Sequence, residues 1–435
     1  MEAHHLMLPI MLLLLVASLF TVGASATSSP EHDAASGLHP VVLMPGYTCS
    51  QLDARLTGEY QPPSPACGAR RRRGWFRLWE NTTALQEDPA LLPCYADQLR
   101  LVYDRAAGDY RNVPGVDTRV VSFGTTRGFG SDDPAQKNSC MERLAGALEE
   151  VGYREGQNLF GAPFDFRYAP AASGMAARVF SDFTMSLIHL VERASKRNGG
   201  KPAVLVGHSQ GSAFAIEFLN RSPLSWRRRY VKHFVMLGFG TGGSPGALQS
   251  VAPNTGSATS PVNVLSFRNT SRSFPSAFIP LPSPLVYGHR LLVITEAKNY
   301  TAYDIPEFLA AVGFSGDEVA RYRTRVLPIT LNLRAPVVPI TCINGVGVPT
   351  PDKLVYWDGN FNAKPQVVYG DGDGAINLVS VLALDTVIGG DPAQRYFKSV
   401  LIPNMTHNGL VSDDLALKRV VSEILEACLL EWDII

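Results

Sequence analysis

Near the middle of the chain the sequence reads Ala203-Val204-Leu205-Val206-Gly207-His208-Ser209-Gln210-Gly211. The four apolar residues at its start predict a buried β-strand, and residues 212–219, which follow, have the spacing of an amphipathic helix. The Gly-x-Ser-x-Gly pattern between them fits the sharp turn that lifts a serine above the edge of a sheet. The pentapeptide alone is weak evidence, because it also arises by chance. Its strand–turn–helix context predicts a nucleophilic Ser209, against the alternative of an ordinary turn serine.

Other short apolar segments indicate how this strand is built into a sheet. Strands are predicted in four further segments, each closed by turn residues: His39–Met44, His233–Leu237, Gln366–Tyr369 and Ser399–Ile402. Helix-like blocks at 139–151 and 179–196 lie between them. Strands that are apolar on both faces and alternate with helices imply a parallel sheet covered on both sides. We therefore predict a protein of the α/β class with the α/β-hydrolase fold and a mostly parallel sheet.

Length and composition allow one large globular domain. The chain has 435 residues, 46% of them apolar, with 39 basic and 39 acidic residues. This balance excludes a disordered chain and provides no basic excess for binding nucleic acid. We expect a single domain over 39–435, because α/β folds often exceed about 250 residues as one unit. Two insertions interrupt the alternation of strands and helices, one at about 62–97, rich in Pro, Arg and aromatic residues, and one at 240–286, rich in Gly, Ser and Pro.

The N-terminus predicts entry into the secretory pathway. An apolar run from Leu6 to about Val22 precedes Gly23-Ala24-Ser25-Ala26, which has the small-residue pattern of a signal peptidase site. We expect a signal peptide at 1–26 and a tether at 27–38, with a secreted, vacuolar or endoplasmic-reticulum location. An uncleaved single anchor is the alternative, since no Lys or Arg precedes the run. Five Asn-x-Ser/Thr sequons are candidate glycosylation sites: Asn81, Asn220, Asn269, Asn299 and Asn404.

A serine nucleophile needs a histidine base, and few histidines are available. In this fold the chain order is Ser, then Asp or Glu, then His, and only His233, His289 and His407 follow Ser209. His233 opens an apolar strand, and His289 has no acidic loop near it. His407 follows the predicted strand Ser399–Ile402, where a loop at the carboxyl end of the sheet belongs. It is the predicted base, with a surface histidine as the alternative.

The acid is expected on a loop after an intervening strand. Gln366–Tyr369 runs into Gly370-Asp371-Gly372-Asp373-Gly374, which offers two carboxylates. Two carboxylates fall short of the six to eight oxygen ligands of a calcium site, so we expect no metal and no other cofactor. The residue pattern leaves Asp371 and Asp373 equally eligible.

Several blocks in the same order resemble the lecithin:cholesterol acyltransferase family, which includes lysosomal phospholipase A2 and phospholipid:diacylglycerol acyltransferase. The resemblance covers the chain from about His39 onward and is carried by these blocks: Pro45-Gly46 with Gln51–Leu56, Ala162–Arg167, Gly207–Gly211, Gly345–Pro351 and Tyr369–Gly374. It implies that Asp373 is the acid and His407 the base.

The resemblance also indicates an oxyanion hole. One backbone N–H comes from the residue after the nucleophile, which is Gln210. The family's second donor matches Tyr47, although Tyr47-Thr48-Cys49-Ser50 replaces a more Gly-rich loop.

Six cysteines suggest a few disulfides on a fold that already has a core. Cys67 and Cys94 enclose a short segment and are a natural pair, which the resemblance favours. Cys342 could pair with Cys428, although the family's second pair is not well reproduced. Cys49 and Cys140 stay open, with buried unpaired thiols as one alternative.

The two insertions suggest a lipid substrate. Trp75, Phe76 and Trp79 follow the basic run Arg70–Arg73 inside the Cys67–Cys94 loop, and this composition suits the interface between water and lipid. The resemblance implies a membrane-contact loop here and an active-site lid at 240–286. The alternative is that the rings pack on the domain.

These observations predict a lipid acyltransferase or phospholipase A. Its expected substrates are a glycerophospholipid and a lipid alcohol, met at a peripheral membrane or lipid surface, with no nucleic acid involved. An acyl group would pass from the phospholipid to Ser209 and then to a sterol-like hydroxyl or water. The alternative is a catalytically silent lipid-binding protein of the same fold.

Overall fold

The structure is a computed structural model and describes residues 37–129, 140–253 and 270–430. The predicted signal peptide, all but the last two residues of the tether, the sequon at Asn269 and residues 254–269 of the second insertion lie outside these described residues.

A parallel six-stranded sheet forms the centre of the fold. Its strands are β1 (Val41–Met44), β7 (Leu159–Gly161), β8 (Ala203–His208), β9 (Val231–Leu237), β12 (Ile340–Val346) and β15 (Phe397–Pro403). The order across the sheet is β15-β12-β9-β8-β1-β7, and every neighbouring pair is parallel. A parallel sheet requires crossover connections, which place helices on its faces. The predicted α/β-hydrolase fold is thereby confirmed.

Both faces of this sheet are buried, as the continuous apolar strands predicted. Val42, Met44 and Leu205 contribute to one core, whereas Leu43 and Val206 contribute to the core on the opposite face. The helices in the described residues are α1 (Thr82–Glu87), α2 (Leu92–Leu99), α3 (Glu142–Glu150), α4 (Arg178–Arg197), α5 (Gln210–Arg221), α6 (Leu224–Tyr230), α7 (Ala247–Val251), α8 (Pro284–Tyr287), α9 (Ile305–Ala311), α10 (Gly316–Arg321), α11 (Leu327–Leu331), α12 (Leu378–Val387) and α13 (Asp414–Leu429). Helices α4 and α5 cover the first core, and α3 and α13 cover the second.

Smaller sheets are built from the remaining strands. They are β2 (Leu52–Leu56), β3 (Trp75–Trp79), β4 (Leu101–Asp104), β5 (Asp109–Asn112), β6 (Val116–Val120), β10 (Val293–Thr295), β11 (Asn299–Tyr300), β13 (Val348–Tyr356) and β14 (Gln366–Gly372). The sheet orders are β3-β2-β6, β4-β5 and β11-β10-β13-β14. Short 3₁₀ turns lie at Ala66–Gly68, Pro89–Leu91, Thr126–Gly128, Pro275–Phe278, Ala302–Asp304 and Gly409–Val411, and a π-helical turn lies at Tyr322–Val326.

One predicted strand lies in a different sheet from the one expected. Gln366–Gly372 pairs antiparallel with β13, outside the central sheet. Most of its residues are exposed or half-buried, so it lacks the two apolar faces of a central strand. The place between β9 and β15 belongs instead to Ile340–Val346, a strand that we did not predict.

The first insertion has regular structure of its own. Strand β3 pairs antiparallel with β2, and helices α1 and α2 follow it. A disulfide joins Cys67 to Cys94, as expected, and closes this segment.

The structure also decides the state of the other four cysteines. Cys49 and Cys140 form a disulfide across 91 residues, whereas Cys342 and Cys428 are free and buried. The proposed Cys342–Cys428 pair is wrong, because Cys342 belongs to the core on one face of the sheet and Cys428 to the core on the other. The sheet itself separates the two thiols.

Candidate active site

Ser209 occupies the sharp turn between β8 and α5. Its φ of 53° and ψ of −120° lie outside the regions that non-glycine residues ordinarily adopt. The flanking glycines permit this turn: a Cβ on Gly207 would lie 2.7 Å from the Ser212 nitrogen, and one on Gly211 would lie 2.3 Å from the Met44 carbonyl oxygen. The Gly-x-Ser-x-Gly pattern therefore follows from backbone packing on both sides of the serine.

Asp373 and His407 are joined by two hydrogen bonds. The His407 Nδ1–H donates to Asp373 Oδ2 over 2.8 Å, since an ionised carboxylate only accepts. The His407 backbone N–H donates to the Asp373 carbonyl oxygen, also over 2.8 Å. The second carboxylate oxygen accepts from the backbone N–H groups of Ala375 and Ile376 at 2.9 and 2.7 Å. The carboxylate is thus held in one orientation with respect to the imidazole.

The environment of Asp373 keeps the carboxylate ionised. Its side chain is buried, and burial by itself would raise the pKa of the carboxyl group. The charge and hydrogen bond of His407, with the two backbone N–H groups, outweigh burial, and the pKa lies below the ordinary value. A buried carboxylate that stays charged beside the histidine can stabilise an imidazolium.

The alternative acid and bases lie elsewhere. Asp371 is exposed, and its Oδ1 accepts from the Gly347 N–H at 2.7 Å. His233 is buried within the sheet, with its Nε2 2.9 Å from the Thr341 hydroxyl, and His289 is exposed against Tyr303. The structure therefore brings Asp373, and not Asp371, to His407.

Ser209 and His407 line the same cavity, which has a volume of about 580 Å³. Tyr47 and Gln210 line it as well. Most of the wall is apolar, with Phe214, Phe239, Ile279 and Leu333 among the lining side chains. A largely apolar cavity with a few polar groups at one place is typical of a small-molecule site.

The two expected oxyanion donors lie beside the serine. Gln210 is the first residue of helix α5, where backbone N–H groups have no acceptor within the helix. The loop after β1 runs close to the Ser209 turn, since a Cβ on Gly46 would lie 3.4 Å from Ser209 Cβ. Tyr47 follows Gly46 in this loop.

Two residues around His407 were missed by sequence reasoning. The His208 ring lies 4.9 Å from the His407 ring, and its Nε2 donates to the His407 carbonyl oxygen over 3.2 Å. Burial, with a smaller contribution from the charge of His407, lowers the pKa of His208 to about 3, so this ring is neutral. Gly238 has a φ of +58°, and a Cβ on it would lie 2.9 Å from His407 Cε1. His208 is inside the motif, but only the fold shows that it packs on a residue 199 positions away.

The three aromatic residues of the first insertion have different environments. Trp75 is 37% exposed, and the guanidinium groups of Arg55 and Arg119 lie 5.1 and 4.4 Å from the centre of its ring. Phe76 is half-buried under Arg70. Trp79 is half-buried, and its indole N–H donates to the Thr48 carbonyl oxygen over 2.7 Å. Trp75 is therefore the ring most open to solvent.

Comparison with known proteins is consistent with this site. The family model of lecithin:cholesterol acyltransferase matches residues 75–331. A rice protein, "Lecithin-cholesterol acyltransferase-like 1", is 46% identical over 393 residues, covering 90% of this chain and 87% of the relative. The canine "Lysosomal phospholipase A and acyltransferase" is 33% identical over 349 residues, covering 79% of this chain and 81% of the relative.

A solved structure shares the fold at low sequence identity. A chain in the crystal structure of the Tle4–Tli4 complex superposes with a TM-score of 0.57 and 11% identity, covering 91% of this chain and 99% of that chain. The family match spans more than half of this chain, and the identity to the rice and canine proteins extends over most of it. The chain therefore belongs to the lecithin:cholesterol acyltransferase family.

Proposed function

We propose that this protein is a serine acyltransferase and phospholipase A. It removes a fatty acyl group from a glycerophospholipid through an acyl-enzyme at Ser209 and transfers the group to a lipid hydroxyl or to water. The observation that carries this proposal is the strained Ser209 turn facing the same apolar cavity as His407, whose imidazole is bonded to Asp373.

The proposed reaction starts with proton transfer from the serine hydroxyl. His407 Nε2 accepts this proton while Ser209 Oγ attacks the ester carbonyl carbon, and the backbone N–H groups of Gln210 and Tyr47 stabilise the oxyanion. When the tetrahedral intermediate collapses, the lysophospholipid oxygen leaves and takes the proton from His407. An incoming hydroxyl then loses its proton to His407 and attacks the acyl-enzyme, and His407 returns the proton to Ser209.

The cavity supports a fatty acyl chain as the transferred group. Its volume of about 580 Å³ and its apolar wall suit a hydrocarbon chain, since each buried methylene contributes roughly 0.8 kcal/mol. The described parts of the second insertion, 240–253 and 270–286, supply much of this wall. We propose that this insertion acts as a lid over the acyl chain, and that the first insertion contacts the lipid surface through Trp75 and the neighbouring arginines.

The names of the relatives support the same chemistry. The canine relative is named as both a phospholipase A and an acyltransferase, which matches a common acyl-enzyme that either water or an alcohol resolves.

Two disulfides suit an oxidising compartment, so we propose a location in the lumen of the secretory pathway. No helix in the described part of the chain has the length and apolarity needed to span a bilayer.

Labelling with a fluorophosphonate tests whether the serine is activated. We expect stoichiometric labelling of the wild-type protein at Ser209, loss of labelling in Ser209→Ala, and conversion of labelled phosphatidylcholine to lysophospholipid. An added sterol or monoacylglycerol is expected to divert the label from free fatty acid to an ester. A folded wild-type protein that binds phospholipid vesicles but is neither labelled nor active would instead support the silent lipid-binding alternative.

A further inference from the structure

A second, smaller cavity shares no lining residue with the catalytic cavity, although the segment 271–278 contributes residues to both. Its volume is about 120 Å³, room for several water molecules but not for a lipid chain of ordinary length. Three parts of the chain enclose it: the hairpin β4–β5, the segment 272–278, and helix α10 with the π-helical turn that continues it. Such π-helical turns occur often at functional sites.

Three arginines line this cavity: Arg272, Arg321 and Arg325. Arg325 is 4% exposed and is held by Asp109, with Oδ1 at 3.0 Å, and by the Gly108 carbonyl oxygen at 2.6 Å. Asp109 is therefore the counter-ion of Arg325. The other two arginines are not paired in this way.

Arg272 lacks a carboxylate partner. Its guanidinium donates to the carbonyl oxygens of Val251 and Val312 and lies 4.0 Å from the centre of the Phe314 ring. None of the described carboxylates lies within salt-bridge distance of it. Burial lowers the pKa of this guanidinium, and Glu318 opposes that shift only from a distance. Arg272 is half-buried, and a half-buried charge without a carboxylate partner attracts an anion more strongly than a fully solvated one.

Arg321 has guanidinium N–H groups available to bind a ligand. Its Nε donates to the Tyr110 hydroxyl over 3.2 Å, and the guanidinium lies 4.6 Å from the centre of the Tyr103 ring. Among the described residues, no acceptor is bonded to its two terminal nitrogens. Since the Tyr110 oxygen accepts from Arg321, the hydroxyl proton remains available to a ligand.

The charges around the cavity leave one positive charge in excess. Against the three arginines stand Asp109, which holds Arg325, and Glu318, which also lines the cavity. The Glu318 Oε2 is already bonded to the backbone N–H and hydroxyl of Ser315, where it caps helix α10. The planar guanidinium fork matches the oxygens of a phosphate group better than a single point charge does.

We propose that this cavity is a binding site for a phosphate group, held by Arg321 and Arg272 with the Tyr110 hydroxyl as a further donor. The site accepts either a free phosphate or phosphate ester from solution or the phosphate of a lipid headgroup. It is independent of the proposed acyl-transfer function, because the two cavities share no lining residue.

Calorimetric titration of the full chain with inorganic phosphate tests the site at constant ionic strength. We expect saturable binding to the wild type, and at least about a tenfold weaker affinity in Arg321→Gln. The matched control is Arg323→Gln, which removes an exposed arginine two positions away and is expected to bind like the wild type. Because Arg321 also packs on two tyrosine rings, melting temperatures identify a variant that fails to fold.

Tyr110→Phe keeps the ring and removes only the hydroxyl, so it tests the same site with less risk to folding. We expect a several-fold weaker phosphate affinity at an unchanged melting temperature. Absence of saturable phosphate binding to the folded wild type, or equal binding by wild type and both cavity variants, overturns the proposal.

Vesicles separate the two sources of phosphate. Binding to phosphatidylcholine vesicles with and without phosphatidic acid is compared for wild type, Arg321→Gln and Arg323→Gln. If only Arg321→Gln loses the gain caused by phosphatidic acid, the site takes the headgroup. If vesicle binding is the same for all three while phosphate binding differs, the site takes phosphate from solution. Either result supports the site, and acyl-transfer activity measured in parallel shows whether the catalytic proposal stands on its own.

Discussion

The backbone turn at Ser209 determines where the serine hydroxyl lies. Because close packing at Gly207 and Gly211 defines the turn, we expect that removing the serine oxygen leaves the fold intact. We predict that Ser209→Ala lowers acyl release from phosphatidylcholine by at least about a thousandfold, as expected for a triad nucleophile. The melting temperature is expected to stay within a few degrees of the wild type. Activity within tenfold of the wild type would contradict the nucleophile assignment.

The two neighbouring aspartates give a matched pair of variants. Asp373 is buried and bonded to His407, whereas Asp371 is exposed and accepts only a backbone N–H. We predict that Asp373→Asn lowers turnover by roughly a thousandfold or more, since the amide neither fixes the tautomer nor stabilises the imidazolium. The turnover of Asp371→Asn is expected to stay within about tenfold of the wild type, because this variant weakens only a hydrogen bond that does not involve His407. Steady-state turnover of a soluble ester measures both, and a greater loss in Asp371→Asn would refute the assignment.

Strand β3 carries two tryptophans with different environments, which the sequence analysis had assigned together to the lipid interface. Trp75 is partly exposed and packs against two arginines, whereas Trp79 donates to the Thr48 carbonyl and its ring lies 5.5 Å from that of Phe166. We predict that Trp75→Ala weakens binding to phospholipid vesicles several-fold without lowering stability, since an interfacial ring acts only at the lipid surface. Turnover of a soluble ester is the control and is expected to change little.

Trp79→Ala is the contrasting variant of the same strand. We expect it to lower the free energy of unfolding by roughly 2–3 kcal/mol, somewhat less than for a fully buried ring. Activity on vesicles and on soluble ester is expected to fall together. If Trp79→Ala instead weakens vesicle binding at unchanged stability, Trp79 belongs to the lipid interface and β3 faces the membrane differently.

An element can be predicted from the sequence when the residues that determine it are contiguous in the chain. The Ser209 turn could be predicted because strand, glycines and helix are contiguous. The central strand Ile340–Val346 was missed, since Asn344 and Gly345 interrupt its apolar run although Asn344 is buried in the sheet. There its amide oxygen accepts from the Phe239 N–H at 2.9 Å, a partner that no periodicity reveals.

Long-range pairings were the least predictable part of the molecule. Asp373 could be chosen over Asp371 only by family resemblance, because alternating Gly and Asp carries no information about which carboxylate faces inward. The Cys49–Cys140 disulfide joins segments 91 residues apart, and spacing alone does not show that they meet. The arginines of the small cavity likewise come from distant segments and form no motif.

Two buried histidines make the stability of the whole molecule depend on pH. His208 and His233 are 2% and 0% exposed, and burial first of all lowers the pKa of each from 6.5 to about 3. The unfolded chain binds protons at these residues below about pH 6.5, but the folded chain does so only near pH 3. The stability that the neutral rings provide is therefore present above about pH 6.5 and is lost as the pH falls from there toward 3.

We predict that the free energy of unfolding falls between pH 6.5 and pH 4.5, each histidine contributing up to about 1.4 kcal/mol per pH unit. His233 is the residue to test, because His208 also contacts His407. His233→Gln keeps a side-chain group for the Thr341 hydroxyl but cannot be protonated, so its stability is expected to fall less steeply with acidification. The exposed His289→Gln is the matched control and is expected to follow the wild-type slope. Urea unfolding at pH 7, 5.5 and 4.5 measures all three, and parallel slopes for wild type and His233→Gln would show that His233 does not couple stability to pH.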